Sequence, residues 1–217
     1  MYLQRCKEVC EGPQLEPGMS LQHLKEHFGI EVDPDHQNSE ESYFHREIYR
    51  KNYGFMLPAL ELLDRLVEII NQIAGPSPFV LDSGSGSGYL SKALVDLGVN
   101  SVAVDRRQVE RQYLVLHQRD ETGNAVEYVA MQTVQVVLLV WPSFDKPFAY
   151  EIAHAMRPGQ WLLYEGEEQG GCTADDAFFS LVKGDAFSFH DEFARYLNEV
   201  HVAFAGLHDR WFVIQKR

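Results

Sequence analysis

Cationic side chains are scarce in this chain: 19 Lys and Arg stand against 32 Asp and Glu, leaving a formal net charge of -13 over 217 residues. Binding to nucleic acid is driven by cations meeting phosphates, so this balance speaks against a protein that grips DNA or RNA. The one small basic cluster, Arg106, Arg107 and Arg111, is offset by Glu110 and reads as a solvated helix face. Cysteine is scarce as well. Cys6, Cys10 and Cys172 fit no disulfide framework, and the first two fit one face of a helix better than a metal site. A reducing cytoplasm is therefore the expected home. His23, His27, His36 and His45 are joined to no cysteine or acid at metal-ligand spacing, so no metal is expected. Nothing approaches the about 18 consecutive apolar residues of a membrane span, and no charged start precedes an apolar core. Neither a membrane segment nor a signal peptide is expected. Repeats and low-complexity tracts are missing too.

With 45% hydrophobic residues, a chain of this length can bury one sizeable core. Residues 1–42 read as a partly irregular N-terminal extension, with Gly12-Pro13, Pro17-Gly18 and an acidic stretch from Glu31 to Glu41 that lacks periodicity. Residues 43–217 read as one domain. It opens on a helical lid, residues 43–74: an aromatic and basic segment from Tyr43, then a helix started by Pro58 with Leu60, Leu63, Leu66, Val67, Ile70 and Ile73 on one stripe. Gly75-Pro76 stops that helix. The aromatic segment before it reads equally as cover for a ligand or as packing.

From Phe79 onward apolar runs and amphipathic stretches alternate. The runs Phe79–Leu81, Ser101–Val104, Val136–Val140 and Trp161–Tyr164 read as strands, and helices are expected near 90–97, 109–117 and after Pro147. Ala125–Val129 is a short strand candidate, and Val200–Arg217 reads as two strands around Gly206–Asp209. The expected fold is α/β: a doubly wound, mostly parallel, seven-stranded sheet ending in an antiparallel C-terminal hairpin.

The most telling segment is D-S-G-S-G-S-G-Y, Asp82–Tyr89, set between a strand and a helix. Gly84, Gly86 and Gly88 let the backbone turn tightly and approach a ligand, and the helix presents its positive end to it. The next strand closes on Asp105, 21 positions after Gly84, where a carboxylate can meet ribose hydroxyls. A dinucleotide fingerprint needs G-x-G-x-x-G for its pyrophosphate, whereas this loop reads G-x-G-x-G, with Tyr89 at the place of the last glycine. Asp82 before the first glycine is badly placed for a pyrophosphate and well placed for an ammonium. S-adenosyl-L-methionine carries both an amino-acid end and an adenosine, and it suits the pair. Asp82, Ser83, Gly84, Gly86, Gly88 and Asp105 are the expected cofactor residues. Arg106 and Arg107 keep a phosphorylated dinucleotide open as a lesser reading, since arginine there can hold a ribose phosphate.

Ligands in such sheets sit beyond the carboxyl ends of the strands. Trp141–Asp145 and Glu165–Thr173 fall there. Trp141 and Phe144 read as a pocket wall or as ordinary packing, and Glu165 is the acid of the second segment; these three are the candidates on the methyl-acceptor side. Asp145 reads as a cap of the helix at Pro147. T-A-D-D reads as a capping box, with Thr173 as N-cap and Asp176 as its partner. Cys172 reads as an inert thiol.

The loop resembles motif I of the class I methyltransferases, in which Asp105 matches the ribose-binding acid. Residues 53–217 are similar to a little-characterised group in that superfamily through G-F-M-L-P, L-L-V-W-P, G-G-C-T-A-D-D-A-F-F and a terminal G-L-H-D-R-W. The resemblance implies a Rossmann-like fold and an S-adenosylmethionine pocket, and no particular substrate. Trp141 stands where relatives that methylate exocyclic amines carry an acid or amide. Methylation of a small molecule or protein side chain is thus the leading expectation, with a catalytically inactive nucleoside-binding or protein-interaction module second and an NAD(P)-dependent oxidoreductase third.

Overall fold

The computed structural model describes residues 13–105, the strand at 119–120, and residues 124–217. The helix expected over 109–117, the cluster Arg106, Arg107, Glu110 and Arg111, and Cys6 and Cys10 lie outside the described residues.

Two helices lead the described residues. Helix α1, Leu21–Phe28, is capped by the Ser20 hydroxyl, which accepts from the His23 amide, and stops at Gly29 with φ 62°. Helix α2, Ser39–Asn52, starts on Asn38, whose side chain accepts from the amides of Glu40 and Glu41. Helix α3, Leu60–Ala74, follows and ends at Gly75. Its buried stripe is Leu62, Leu63, Leu66, Ile69 and Ile70, while Leu60 is 44% exposed. The expected stripe is thus rotated by part of a turn: Leu60 is the first helical residue, and the face that meets the sheet starts at Leu62.

Then strand and helix alternate. Strand β1 is Phe79–Ser83, helix α4 Tyr89–Asp96, β2 Asn100–Val104, β3 Arg119–Asp120, α5 Ala125–Val129, β4 Val134–Val140, α6 Phe148–Ala155, β5 Trp161–Gly166, α7 Asp176–Val182, β6 Phe187–Phe189, α8 Asp191–Asn198 and β7 Arg210–Lys216. The sheet order is β3-β2-β1-β4-β5-β7-β6. Pairing is parallel from β3 to β5, and β7 runs antiparallel to both β5 and β6. Val136, Val137, Leu138 and Leu139 of β4 are all 0% exposed, which explains their continuous apolar run: helices cover both faces. One face packs Val80, Leu138 and Leu163 against α3, α4 and α8. The other packs Leu81, Val137 and Leu162 against α5, α6 and α7.

Two elements depart from the sequence reading. Ala125–Val129 is a helix, because the Asn124 side chain accepts from the Val126 amide and starts a turn that buries Ala125 and Val129 together. A five-residue apolar run fits either geometry, and the cap decides. The C-terminal hairpin is also not contiguous. Strand β7 pairs with Phe187–Phe189 across α8, while Val202 makes only an isolated bridge to Leu57. Val202 and Phe204 instead pack on Leu15, Leu24, Phe28, Ile30 and Tyr49, so the described part of the N-terminal extension is docked on the loop before β7. Among the described residues no helix is long and apolar enough to cross a membrane.

Candidate functional site

Strand β1 delivers Asp82 and Ser83 to the carboxyl edge of the sheet, and the next turn is built from left-handed glycines. Gly84, Gly86 and Gly88 have φ of 71°, 56° and 75°, a region costly for residues with a side chain. The amides of Gly84 and Ser85 donate to the Val104 carbonyl, and the Gly86 amide donates to Asp105 Oδ2 at 2.8 Å. Asp105 therefore clamps the loop to the end of β2. A Cβ on Gly84 would come within 2.9 Å of the Phe148 ring, whereas one on Gly86 would meet nothing within 4 Å. Gly84 is required by packing, and Gly86 borders open space.

That space is a cleft of about 170 Å³, lined by Tyr53, Gly54, Phe55, Met56, Pro58, Asp82, Gly84, Ser85, Gly86, Tyr89, Leu90, Val140 and Trp141. Ligand pockets commonly span about 300–1,000 Å³. A volume this size suits an amino-acid-sized group. The stretch between α2 and α3 forms one wall, through Tyr53, Gly54, Phe55, Met56 and Pro58, while Phe44 and Tyr49 before it are buried packing. Beside it Trp141 also lines the cleft, held in a left-handed conformation with φ 46° and stacked on Phe55 at 4.5 Å and 18°. Arg50 lies over the Phe55 ring at 5.3 Å from its centroid.

Asp82 is the charged floor. Its carboxylate is 2% exposed and accepts from Ser91 Oγ at 3.0 Å, with Ser101 Oγ a further 3.0 Å from Ser91 Oγ. Burial pushes its pKa up to about 7; the Ser91 hydroxyl opposes that rise, and the nearby Asp105 carboxylate adds to it. An ammonium in the cleft would remove much of this penalty. The hydroxyls of Ser83, Ser85 and Ser87 are buried with no hydrogen-bond partner among the described residues, so the loop holds unused polar capacity.

The structure thus brings Asp82, Gly84, Gly86 and Trp141 to one cleft. Ser83, Gly88 and Asp105 shape the loop without lining it. Phe144 is 59% exposed and outside the cleft. Glu165 is 0% exposed and also outside it; its backbone carbonyl accepts from the Trp141 amide at 2.9 Å. Burial raises its carboxyl well above the usual range, helped by the Asp209 carboxylate beside it. Asp145 does not cap α6: the N-cap is Pro147, and Asp145 has φ 52° with its amide donating to the Ala174 carbonyl. Thr173 is no cap either. Its hydroxyl is buried against Tyr164 and Glu167, and Asp175 caps α7 by accepting from the Phe178 amide. Cys172 is an exposed free thiol.

Sequence reasoning missed Ser91, whose signal is a serine on the apolar face of α4 between Leu90 and Leu94. It also missed Tyr53, Phe55 and Met56 as individual wall residues.

No family model matches the chain, and no curated protein does. Solved structures with a similar course include a 1,6-didemethyltoxoflavin-N1-methyltransferase of Burkholderia thailandensis, with bound 1,6-didemethyltoxoflavin and S-adenosylhomocysteine, at TM-score 0.48 and 18% identity over 71% of this chain and 78% of that one. A SAM-dependent methyltransferase of Archaeoglobus fulgidus is similar at TM-score 0.46 and 15% identity, over 72% of this chain and 93% of that one. Human N-acetylserotonin methyltransferase in complex with SAM is similar at TM-score 0.44 and 11% identity, over 99% of this chain and 66% of that one. Likenesses this distant carry no argument about activity, which has to come from the cleft.

Proposed function

We propose that this protein is an S-adenosylmethionine-dependent methyltransferase acting on a small molecule or a protein side chain. One observation carries the reading: a buried carboxylate, Asp82, forms the floor of an aromatic-walled cleft beside a left-handed glycine turn clamped by Asp105. The donor set fits the cofactor's amino-acid end. Asp82 would face its ammonium, the backbone around Gly84, Ser85 and Gly86 would lie against it, and Asp105 would hold ribose hydroxyls. When bound, S-adenosylmethionine supplies an electrophilic methyl group on a sulfonium. Tyr53, Phe55, Met56 and Trp141 would exclude water from the reacting side and offer apolar surface to an acceptor, so positioning and a dry site are what the chain contributes.

A second reading is favoured by one feature. Asp82 is the only carboxylate lining the cleft among the described residues, and no histidine lines it, so a base for a neutral acceptor is missing from this wall. A nucleoside-binding module without transfer activity fits that feature. The dinucleotide reading fits less well, because Asp82 would oppose a pyrophosphate. The acceptor is expected not to be DNA or RNA, given the charge of -13, and a cytoplasmic setting remains part of the proposal.

Thermal unfolding with S-adenosylhomocysteine, S-adenosylmethionine and NADPH tests the proposal. A rise in Tm with the first two and none with NADPH is expected; a rise with NADPH alone would replace the methyltransferase reading. A rise with both adenosyl ligands but no transfer to any acceptor would favour the binding module.

A further inference from the structure

Beside the cleft, three chain segments bring an imidazole and two carboxylates together inside the protein. Glu165 is the penultimate residue of β5, His201 follows α8, and Asp209 immediately precedes β7, which pairs with β5. Their exposures are 0%, 4% and 6%. His201 Nε2 lies 3.0 Å from Asp209 Oδ2 and 3.6 Å from Glu165 Oε1, and one ligating atom from each residue falls within 4.8 Å of the others.

We propose that Glu165, His201 and Asp209 form a binding site for one divalent transition-metal cation of the Mn²⁺, Fe²⁺ or Zn²⁺ kind.

Spacing is the first support. Ligand atoms about 2.1 Å from one ion, at the angles of tetrahedral or octahedral coordination, stand roughly 3.0 to 3.4 Å apart, close to both observed distances. Unsatisfied polar atoms are the second. Among the described residues, both carboxylate oxygens of Glu165 and Oδ1 of Asp209 are buried and meet no hydrogen bond of full geometry, the Asp209 carboxyl and the Trp141 indole being the polar neighbours that Glu165 has. Such atoms are costly unless something compensates them. Charge is the third: two buried carboxyl groups face one imidazole, and a divalent cation would stabilise both in the ionised form that burial disfavours at Glu165. The donor mix argues for the class of ion, since imidazole suits transition metals and carboxylates suit harder ones. None of the three residues lines the cleft. The Glu165 carbonyl holds the Trp141 amide, so the ion's role is to fix the strand ends that position Trp141. This inference does not rest on the methyltransferase reading.

The test uses the full-length chain with Cys6, Cys10 and Cys172 changed to Ser, which removes thiol ligands. After chelator treatment and dialysis, Mn²⁺ and Zn²⁺ are titrated calorimetrically. One equivalent of at least one ion is expected, with a higher Tm, and affinity is expected to fall by at least about tenfold in His201→Gln and in Asp209→Asn. No binding by the parent protein overturns the proposal, as does unchanged affinity in both variants. Should either variant lose its native circular dichroism, pulsed electron paramagnetic resonance of Mn²⁺ on the parent decides: modulation from one imidazole nitrogen is expected, and its absence overturns the site.

Discussion

Asp82 shows how a single residue can be poor for the fold and good for a ligand. Its carboxyl prefers the neutral form up to about pH 7, because the interior around it desolvates the charge. An unfolded carboxyl ionises near pH 4, so between those values the folded state binds more protons and stability falls as pH rises. Above pH 7 the whole penalty is present. Asp82→Asn keeps an acceptor for Ser91 and removes that ionisation. It is expected to be more stable than the parent at pH 8, by on the order of 1 to 4 kcal/mol, and nearly equal at pH 4, as read by urea unfolding. The same variant should bind S-adenosylhomocysteine more weakly. Equal stability at pH 8 would mean that Asp82 is not buried as described.

Trp141 and Phe144 separate at the same scale. The two aromatics flank Pro142 and Ser143, yet only Trp141 lines the cleft. Its left-handed backbone turns it onto Phe55, while Phe144 points to solvent. Phe144→Ala is expected to leave S-adenosylhomocysteine affinity within about threefold, less than the roughly 1.4 kcal/mol of a tenfold change. Trp141→Ala is expected to exceed that. Calorimetric affinities of the two variants check both, and equal losses would contradict the placement of Phe144.

Among the elements, the N-terminal extension is held by a small polar clamp. Gln37 Nε2 donates to the carbonyls of Glu31 and Ala203, and Gln37 Oε1 accepts from the Ser42 hydroxyl and the Ala205 amide. Removing the side chain takes the donor from the Ala203 and Glu31 carbonyls, at about 1 to 3 kcal/mol for a buried group left unpaired, while the Ala205 amide still donates to the Ser42 hydroxyl. Gln37→Ala is therefore expected to cost about 2 to 4 kcal/mol in urea unfolding and to speed proteolysis within residues 13–42. Proteolysis at the parent rate would show that the apolar contacts of Leu24, Phe28 and Ile30 suffice.

What the sequence made legible at this scale follows from the range of the forces involved. Strand β4 and the loop Asp82–Gly88 were readable because their signals are local: a continuous apolar run, and glycines spaced for left-handed turns. Ala125–Val129 was misread because five apolar-rich residues fit two periods, and one hydrogen bond from Asn124 decides between them. Thr173 looked like a cap, but a neighbouring acid, Asp175, reaches the free amide while Tyr164 captures the threonine hydroxyl. His201 and Asp209 are invisible in the sequence as partners of Glu165, because the antiparallel register of β5 on β7 brings Asp209 beside it and the fold of the segment after α8 brings His201. No local pattern encodes that.

At the scale of the whole molecule, the carboxyl edge of the sheet gathers the cleft, the Asp105 clamp and the Glu165 cluster, while the interior behind it is apolar on both faces. The central claim is that this edge binds S-adenosylmethionine through an ionised Asp82. With the Asp82 pKa at about 7 in the unliganded protein, about a tenth of molecules are ionised at pH 6 and about nine tenths at pH 8. Calorimetric titration with S-adenosylhomocysteine at these two pH values measures the claim directly. One-to-one binding about tenfold tighter at pH 8 is the predicted result, with proton release at pH 6, seen as a dependence of the heat on buffer, and little at pH 8. No saturable binding at either pH would contradict it.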